Sequence, residues 1–177
     1  MLFRSFKVMG LAPYGQPDHV APLRQLIHLK PGGGFELDLS YFCHHSEGVE
    51  MSWDDGEPTI GRVYTAKLEE LLGPARAPSA PLEPRHEAIA ASLQVVFEEA
   101  GFHVLNALHK RTRLKRLCLA GGCGMNSVMN GKIRAETPFE EVFVQPAAAD
   151  NGTALGAALY VHHHVLGQPR EIGRAHV

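Results

Sequence analysis

Gly121, Gly122, Asn126 and Asp150 are the residues whose types and spacing could do chemistry. They lie in the stretch Arg116–Ala158, which reads as an apolar strand from Leu117 to Ala120, a Gly121-Gly122 turn and a helix. A second apolar strand from Glu141 to Val144, a loop ending in Asp150 and a glycine-punctuated helix follow, so two strand-to-helix turns lie side by side. A strand that runs through glycine into a helix presents unpaired N–H groups and a positive dipole end, where phosphates bind readily. Glycine lets backbone approach a ligand closely, and Asn126, about one helical turn on, can both donate and accept. Asp150 adds a carboxylate ahead of Asn151 and Gly152, so one turn could hold a nucleotide and the other a cation. The structural alternative is that Gly-Gly is a packing turn and Asp-Asn-Gly an N-cap. Neither turn is a Walker loop or a G-x-G-x-x-G fingerprint, and spacing alone leaves both readings open.

The elements that must position these turns come earlier in the chain. The longest helix spans 85–110, where Ile89, Leu93, Val96, Phe97, Ala100, Val104 and Leu108 recur at helical steps while Glu87, Glu98, Glu99 and Lys110 fall off the stripe; it should cover one face of a sheet. Phe6–Gly15, FKVMGLAPYG, reads as the end of a helix stopped by Pro13 and Gly15. Pro22–Lys30 reads as a short amphipathic helix, and the alternation over Phe35–Phe42 as a half-buried strand. His44 and His45 read as loop residues, and Met51–Ile60 as a polar turn around Trp53 whose Asp54, Asp55 and Glu57 lack the spacing of a calcium loop. A helix over 62–72 should end at Gly73-Pro74, followed by a proline-rich surface linker at 73–84. The basic run Lys110, Arg111, Arg113, Lys115 and Arg116 reads as solvated charge at a helix end. His162, His163 and His164 fall on different helix faces and make a poor metal cage.

LCLAGGCGMNSVMNGKI, PFEEVFVQPAAADNGTALGAALY and FKVMGLAPYG, in this order, resemble the amino-terminal catalytic domain of carbamoyltransferases of the nodulation and antibiotic-tailoring type, from about Phe6 to about Tyr160. That domain is similar to the tRNA threonylcarbamoyladenosine-forming proteins and belongs to the actin-like ATPase (ASKHA) superfamily. The resemblance implies an α/β, ribonuclease H-like lobe, a mixed sheet with helices packed on it, forming one domain over 1–177. It implies ATP, used with carbamoyl phosphate to make a carbamoyladenylate whose carbamoyl group passes to a hydroxyl of a small-molecule acceptor. Gly121, Gly122 and Asn126 match the family's nucleotide turn. Lys7 matches a candidate nucleotide contact, although Ser5 stands where the family usually has an acid, and Lys7 also reads as a solvated helix charge. Asp150 matches a carboxylate ligand of a divalent metal, often iron, whose histidine ligands come from an H-x-x-x-H helix absent from this chain. The chain is therefore expected to be a fragment: the second of two lobes, without the first lobe or the separate carboxyl-terminal domain. No catalytic residue is assigned, and a nucleotide-binding or interaction lobe without catalysis is the alternative.

With 177 residues, 45% hydrophobic and 20% charged, the composition fits one globular domain. A net charge of −2 gives no footprint for nucleic acid. Cys43, Cys118 and Cys123 form no C-x-x-C pair, which fits a reducing cytoplasm better than a disulfide framework or zinc knuckle. Cys123 could be a thiolate at a helix start, but no histidine lies near it in sequence, and it reads as a small packing residue. No apolar run approaches the ~20 residues that span a bilayer, so no membrane partner is expected.

Overall fold

A computed structural model describes residues 5–54 and 57–170. α1 (Ser5–Leu11) runs into a 3-10 turn at Ala12–Tyr14, where Pro13 has no N–H with which to continue the helix. α2 (Val20–Leu23) and a second 3-10 turn lead to the antiparallel strands β1 (Ile27–Leu29) and β2 (Phe35–Leu37). The one-turn helix α3 (His44–Glu47) precedes a second hairpin, β3 (Met51–Asp54) with β4 (Glu57–Ile60). α4 (Ala66–Leu72) ends at Gly73. From there to residue 83 the chain has no helix or strand, and Arg85 ties it down by donating to the Leu72 and Pro74 carbonyls at 2.7 and 3.1 Å. Then come α5 (Pro84–Thr112), β5 (Arg116–Leu119), α6 (Ser127–Glu136), β6 (Glu141–Val144), α7 (Thr153–Tyr160) and a π-helical turn at Val161–Val165.

The fold is mixed α/β, but the expected mixed sheet is three separate two-stranded pairs among the described residues. β5 and β6 are parallel, with Leu117 opposite Val142 and Leu119 opposite Val144, and α6 is the crossover between them. The other two pairs are local hairpins. The helix expected over Pro22–Lys30 stops at Leu26 because the glycines after Pro31 fold Ile27–Leu29 back onto Phe35–Leu37. The strand expected over Phe35–Phe42 stops at Leu37, and its residues are exposed. There the Asp38 carboxylate accepts from the Ser40 N–H and hydroxyl at 2.9 and 2.6 Å, bending the chain into a 3-10 turn. His44 and His45 open a helical turn rather than lie in a loop, and the polar turn expected at Met51–Ile60 is a hairpin whose tip at 55–56 lies outside the described residues.

α5 is the beam of the structure. Pro84 at its start and a capping exchange between Glu83 and His86 begin it, and Arg113 in the left-handed region ends it at φ 57°. α1, the Ala12–Tyr14 turn, α2 and α6 all pack on it. Leu105 of α5 meets Leu117, Ile133 and Phe139 in the core, with Phe102, Leu119 and Val142 packed around them. The apolar stripe expected to cover the sheet is only partly buried: Leu93, Val104 and Leu108 are exposed, and Glu98, expected off the stripe, is buried. Small residues explain the difference, since Ala88, Ala90, Ala91 and Ser92 let neighbouring segments come close and so occupy the buried positions. By length and composition α5 could also cross a bilayer, and 44% of that apolar stretch is buried inside the fold. Of the basic run, Lys115 and Arg116 pair with Glu140 and Glu141 at 2.6 and 3.0 Å where β5 and β6 begin. α7 is exposed along its length, and Cys118 and Phe143 leave the outer face of the β5–β6 pair open.

Arg113→Gly should raise stability by about 1 kcal/mol, because a Cβ in the left-handed region costs that much, and thermal unfolding should shift upward by about 3 °C. Arg24 holds the Glu99 carboxyl below its ordinary value, first by hydrogen bonding and also by its charge. That contribution is complete above the ordinary carboxylate range and is lost as pH falls through the lowered value. Melting temperatures measured between about pH 6 and pH 3 should therefore fall less steeply in Glu99→Gln than in the parent.

Candidate functional site

The two strand-to-helix turns are joined in space. Gly121 donates its N–H to the Ala148 carbonyl at 2.6 Å, and Gln145 donates to the Leu119 carbonyl at 3.0 Å, so the loop after β6 lies against the loop after β5. Gly121 has φ +94°, a conformation a side chain would strain. Its N–H, expected to be free for a ligand, is thus used within the fold. The next two donors differ: Gly122 and Cys123 open a 3-10 turn at Gly122–Met125, and neither N–H has a hydrogen-bond partner among the described residues.

The packing alternative separates the two turns. A Cβ on Gly152 would fall 2.0 Å from the Ala147 carbonyl oxygen, so that glycine permits a close approach within the chain. A Cβ on Gly122 would meet nothing within 4 Å, so packing does not require this glycine. The space it leaves opens on a groove of about 220 Å³ between α1, α5 and the turn. Phe6, Met9, Leu93, Phe97 and Met125 wall it, and Gln94 and Asn126 supply its side-chain amides.

Asn126 caps α6. Its Oδ1 accepts from the Met129 N–H at 2.9 Å and from Gln94 Nε2 at 3.0 Å, while its Nδ2 donates to Gln94 Oε1 at 2.9 Å. Gln94 Nε2 also donates to Glu98 at 2.9 Å, and Lys132 donates to the other Glu98 oxygen at 2.6 Å. Below the turn, Asn130 donates to the Gly124 carbonyl at 2.7 Å. Sequence reasoning missed Gln94, Glu98, Asn130 and Lys132. The available signal was a Gln and a Glu one helical turn apart inside an apolar helix, where a polar pair needs partners.

Of the other expected site residues, Lys7 is exposed on α1 and does not line the groove, although its neighbours Phe6, Val8 and Met9 do. Cys123, expected as a packing residue, is exposed and lines the groove; no histidine or carboxylate shares that lining. Cys43 is the buried thiol, and loss of water around it pushes its pKa up. Asp150 is exposed at the start of a 3-10 turn, outside the groove lining, and Thr153 holds its carbonyl rather than its carboxylate, at 2.7 Å. Among the described residues, no group of three His, Cys, Asp or Glu side chains could hold a metal ion, so Asp150 has no fellow metal ligands within this chain.

Comparison with known proteins points in one direction. The family described as Carbamoyltransferase N-terminus matches residues 4–159. The chain is 40% identical over 169 residues to an uncharacterized protein of Synechocystis sp., sll1178, covering 94% of this chain and 25% of that protein. It is 38% identical to the nodulation protein NolO of Bradyrhizobium diazoefficiens over 169 residues, 95% of this chain and 26% of that protein. It is also 38% identical to NolNO of Sinorhizobium fredii over 173 residues, 96% and 22% of the two chains. The chain therefore spans about a quarter of the length of these relatives.

The contrast between the two turn glycines is measurable without a ligand. Gly121→Ala should cost about 1–2 kcal/mol through its positive φ, whereas Gly122→Ala should stay within about 0.5 kcal/mol of the parent. Urea unfolding of both variants checks this.

Proposed function

The chain belongs to the Carbamoyltransferase N-terminus family, and from that premise we propose that it is one lobe of the actin-like (ASKHA) catalytic domain of a cytoplasmic O-carbamoyltransferase. In this reading the longer protein supplies a first lobe and a carboxyl-terminal domain that uses ATP and carbamoyl phosphate. The lobe holds the nucleotide part of a carbamoyladenylate while the carbamoyl group passes to a hydroxyl of a small-molecule acceptor. The observation that carries the proposal is the turn at Gly122: an open approach and two N–H groups, on Gly122 and Cys123, without partners among the described residues, beside a groove walled by apolar side chains.

Each part has a definite task. The Gly122 and Cys123 N–H groups donate to phosphate oxygens, and the dipole of the following helix favours that negative charge. Asn126 adds a side-chain donor beside them. The apolar walls keep water from an activated carbamoyl ester, which would otherwise hydrolyse. In the transfer the acceptor oxygen attacks the carbamoyl carbon, the bond from that carbon to the phosphate oxygen breaks, and AMP leaves with the electron pair. The hydroxyl proton must go to a base, and the groove lining offers none. Lys7, outside the groove lining, would reach a bound nucleotide only from the groove's rim. The base-free lining favours a second reading, a nucleotide-binding lobe that does no chemistry by itself. Restoration of transferase activity by adding the separately produced remainder of a longer relative distinguishes a catalytic lobe from this one.

Thermal unfolding with and without millimolar ATP and Mg²⁺ tests the site. A ligand at 100 times its Kd adds about 2.7 kcal/mol, or a rise of several degrees for a chain of this size. Asn126→Asp keeps a good helix cap but replaces the donor with a negative acceptor, and should remove the rise. An unchanged rise in this variant would displace the nucleotide from the turn.

A further inference from the structure

Glu98 is 7% exposed in the middle of α5 and is absent from the groove lining. A buried carboxylate is costly, and an apolar residue of similar size would serve packing better, so its presence needs a reason. Its two oxygens accept from Gln94 Nε2 and Lys132 Nζ. Because a carboxylate only accepts, it fixes which end of the Gln94 amide faces it: the NH₂. The same NH₂ also donates to Asn126 Oδ1, and Gln94 Oε1 is left to accept from Asn126 Nδ2. With the Met129 N–H on the same Oδ1, both acceptor positions of the Asn126 oxygen are filled and one of its two N–H donors is used. Asn126 therefore has a single donor left for the groove and nothing with which to accept.

We propose that Glu98, acting through Gln94, is a positioning residue that works alongside the Met129 N–H on Asn126 Oδ1 to hold Asn126 to presenting one donor, so that the site takes a ligand with an acceptor at that point: a phosphate, ribose or carbonyl oxygen, or a ring nitrogen. The proposal rests on the nucleotide reading of the Gly122 turn. Lys132, half-exposed at the far end, balances the charge of Glu98 and leaves the amide orientation to the carboxylate.

The test uses the full chain and three readouts: the side-chain NH₂ signals of Asn126 by ¹H–¹⁵N NMR, the ATP·Mg²⁺ dissociation constant by calorimetry, and the melting profile. Glu98→Gln can turn either end of its amide toward Gln94. It should shift the Asn126 NH₂ signals without ligand and weaken ATP about tenfold, the loss of one directed hydrogen bond. Lys132→Met removes the cation beside a buried carboxylate and should lower the melting temperature, but it keeps the carboxylate facing Gln94 and should bind ATP within about twofold of the parent. If Glu98→Gln loses its cooperative melt, Gln94→Met cuts the chain of bonds one link later and carries the same expectation for both readouts. Unshifted Asn126 signals in the variant overturn the positioning role. So does ATP affinity equal to the parent's, or an equal loss in Lys132→Met. A parent chain that binds no ATP refutes the nucleotide reading itself, and the ligand-free signals still show whether Glu98 orders Asn126.

Discussion

The reciprocal amide pair between Gln94 and Asn126 is the constraint on which the rest of the site depends. It joins α5 to the residue that caps α6, and so sets where the chain leaving β5 must turn. Asn126 faces two demands at once, capping α6 and meeting Gln94, and its oxygen serves both. Remove Asn126 and α6 loses its cap, Gln94 is left with an unmet buried carbonyl, and the Gly121–Asn126 turn loses the anchor at its far end. Burying polar groups in this way is tolerable only because every link is satisfied.

The second anchor is at the near end, where Gly121 gives its N–H to Ala148. Fixed at both ends, the turn leaves the Gly122 and Cys123 donors without a hydrogen-bond partner among the described residues. Preorganised donors of this kind favour an anion because no reorganisation is needed when it arrives. The surrounding architecture serves the same end. α5 holds it together, with small residues near its start admitting α1 and the segment after it, and Leu105 nearer its end meeting Ile133. What remains uncovered is apolar as well: Leu93, Val104 and Leu108 on α5, Phe143 on the open face of the parallel pair, and Leu155 and Leu159 on α7.

The parts of the fold legible in the sequence were those where local and tertiary forces agree. β5, β6 and the boundaries of α5 were readable because apolar runs, Pro84 and the glycines all point the same way. The β1–β2 ladder and the 3-10 turn after it were not, because a three-residue strand is decided by a glycine turn and by one Asp38 carboxylate rather than by periodicity. The α5 stripe misled for a different reason. Periodicity reports which residues are apolar, and burial also depends on which neighbours are present, so Ala91 and Ser92 are inside while Leu93 is outside. Of the site, the turn and Asn126 could be named from residue types. The roles of Gln94, Glu98 and Lys132 could not, since they arise from contacts across more than thirty positions. The proximity of the two turns was legible; that Gly152 serves packing and Gly122 does not required coordinates.

The most direct measurement is a titration of the ¹⁵N-labelled chain with ATP·Mg²⁺, following the backbone amides of Gly122 and Cys123. If the turn holds the nucleotide phosphate, these two signals move together, in the direction of stronger hydrogen bonding, and saturate at one dissociation constant shared with Asn126. Signals at Gly122 and Cys123 that stay fixed while ATP is shown to bind elsewhere would contradict a phosphate site at this turn.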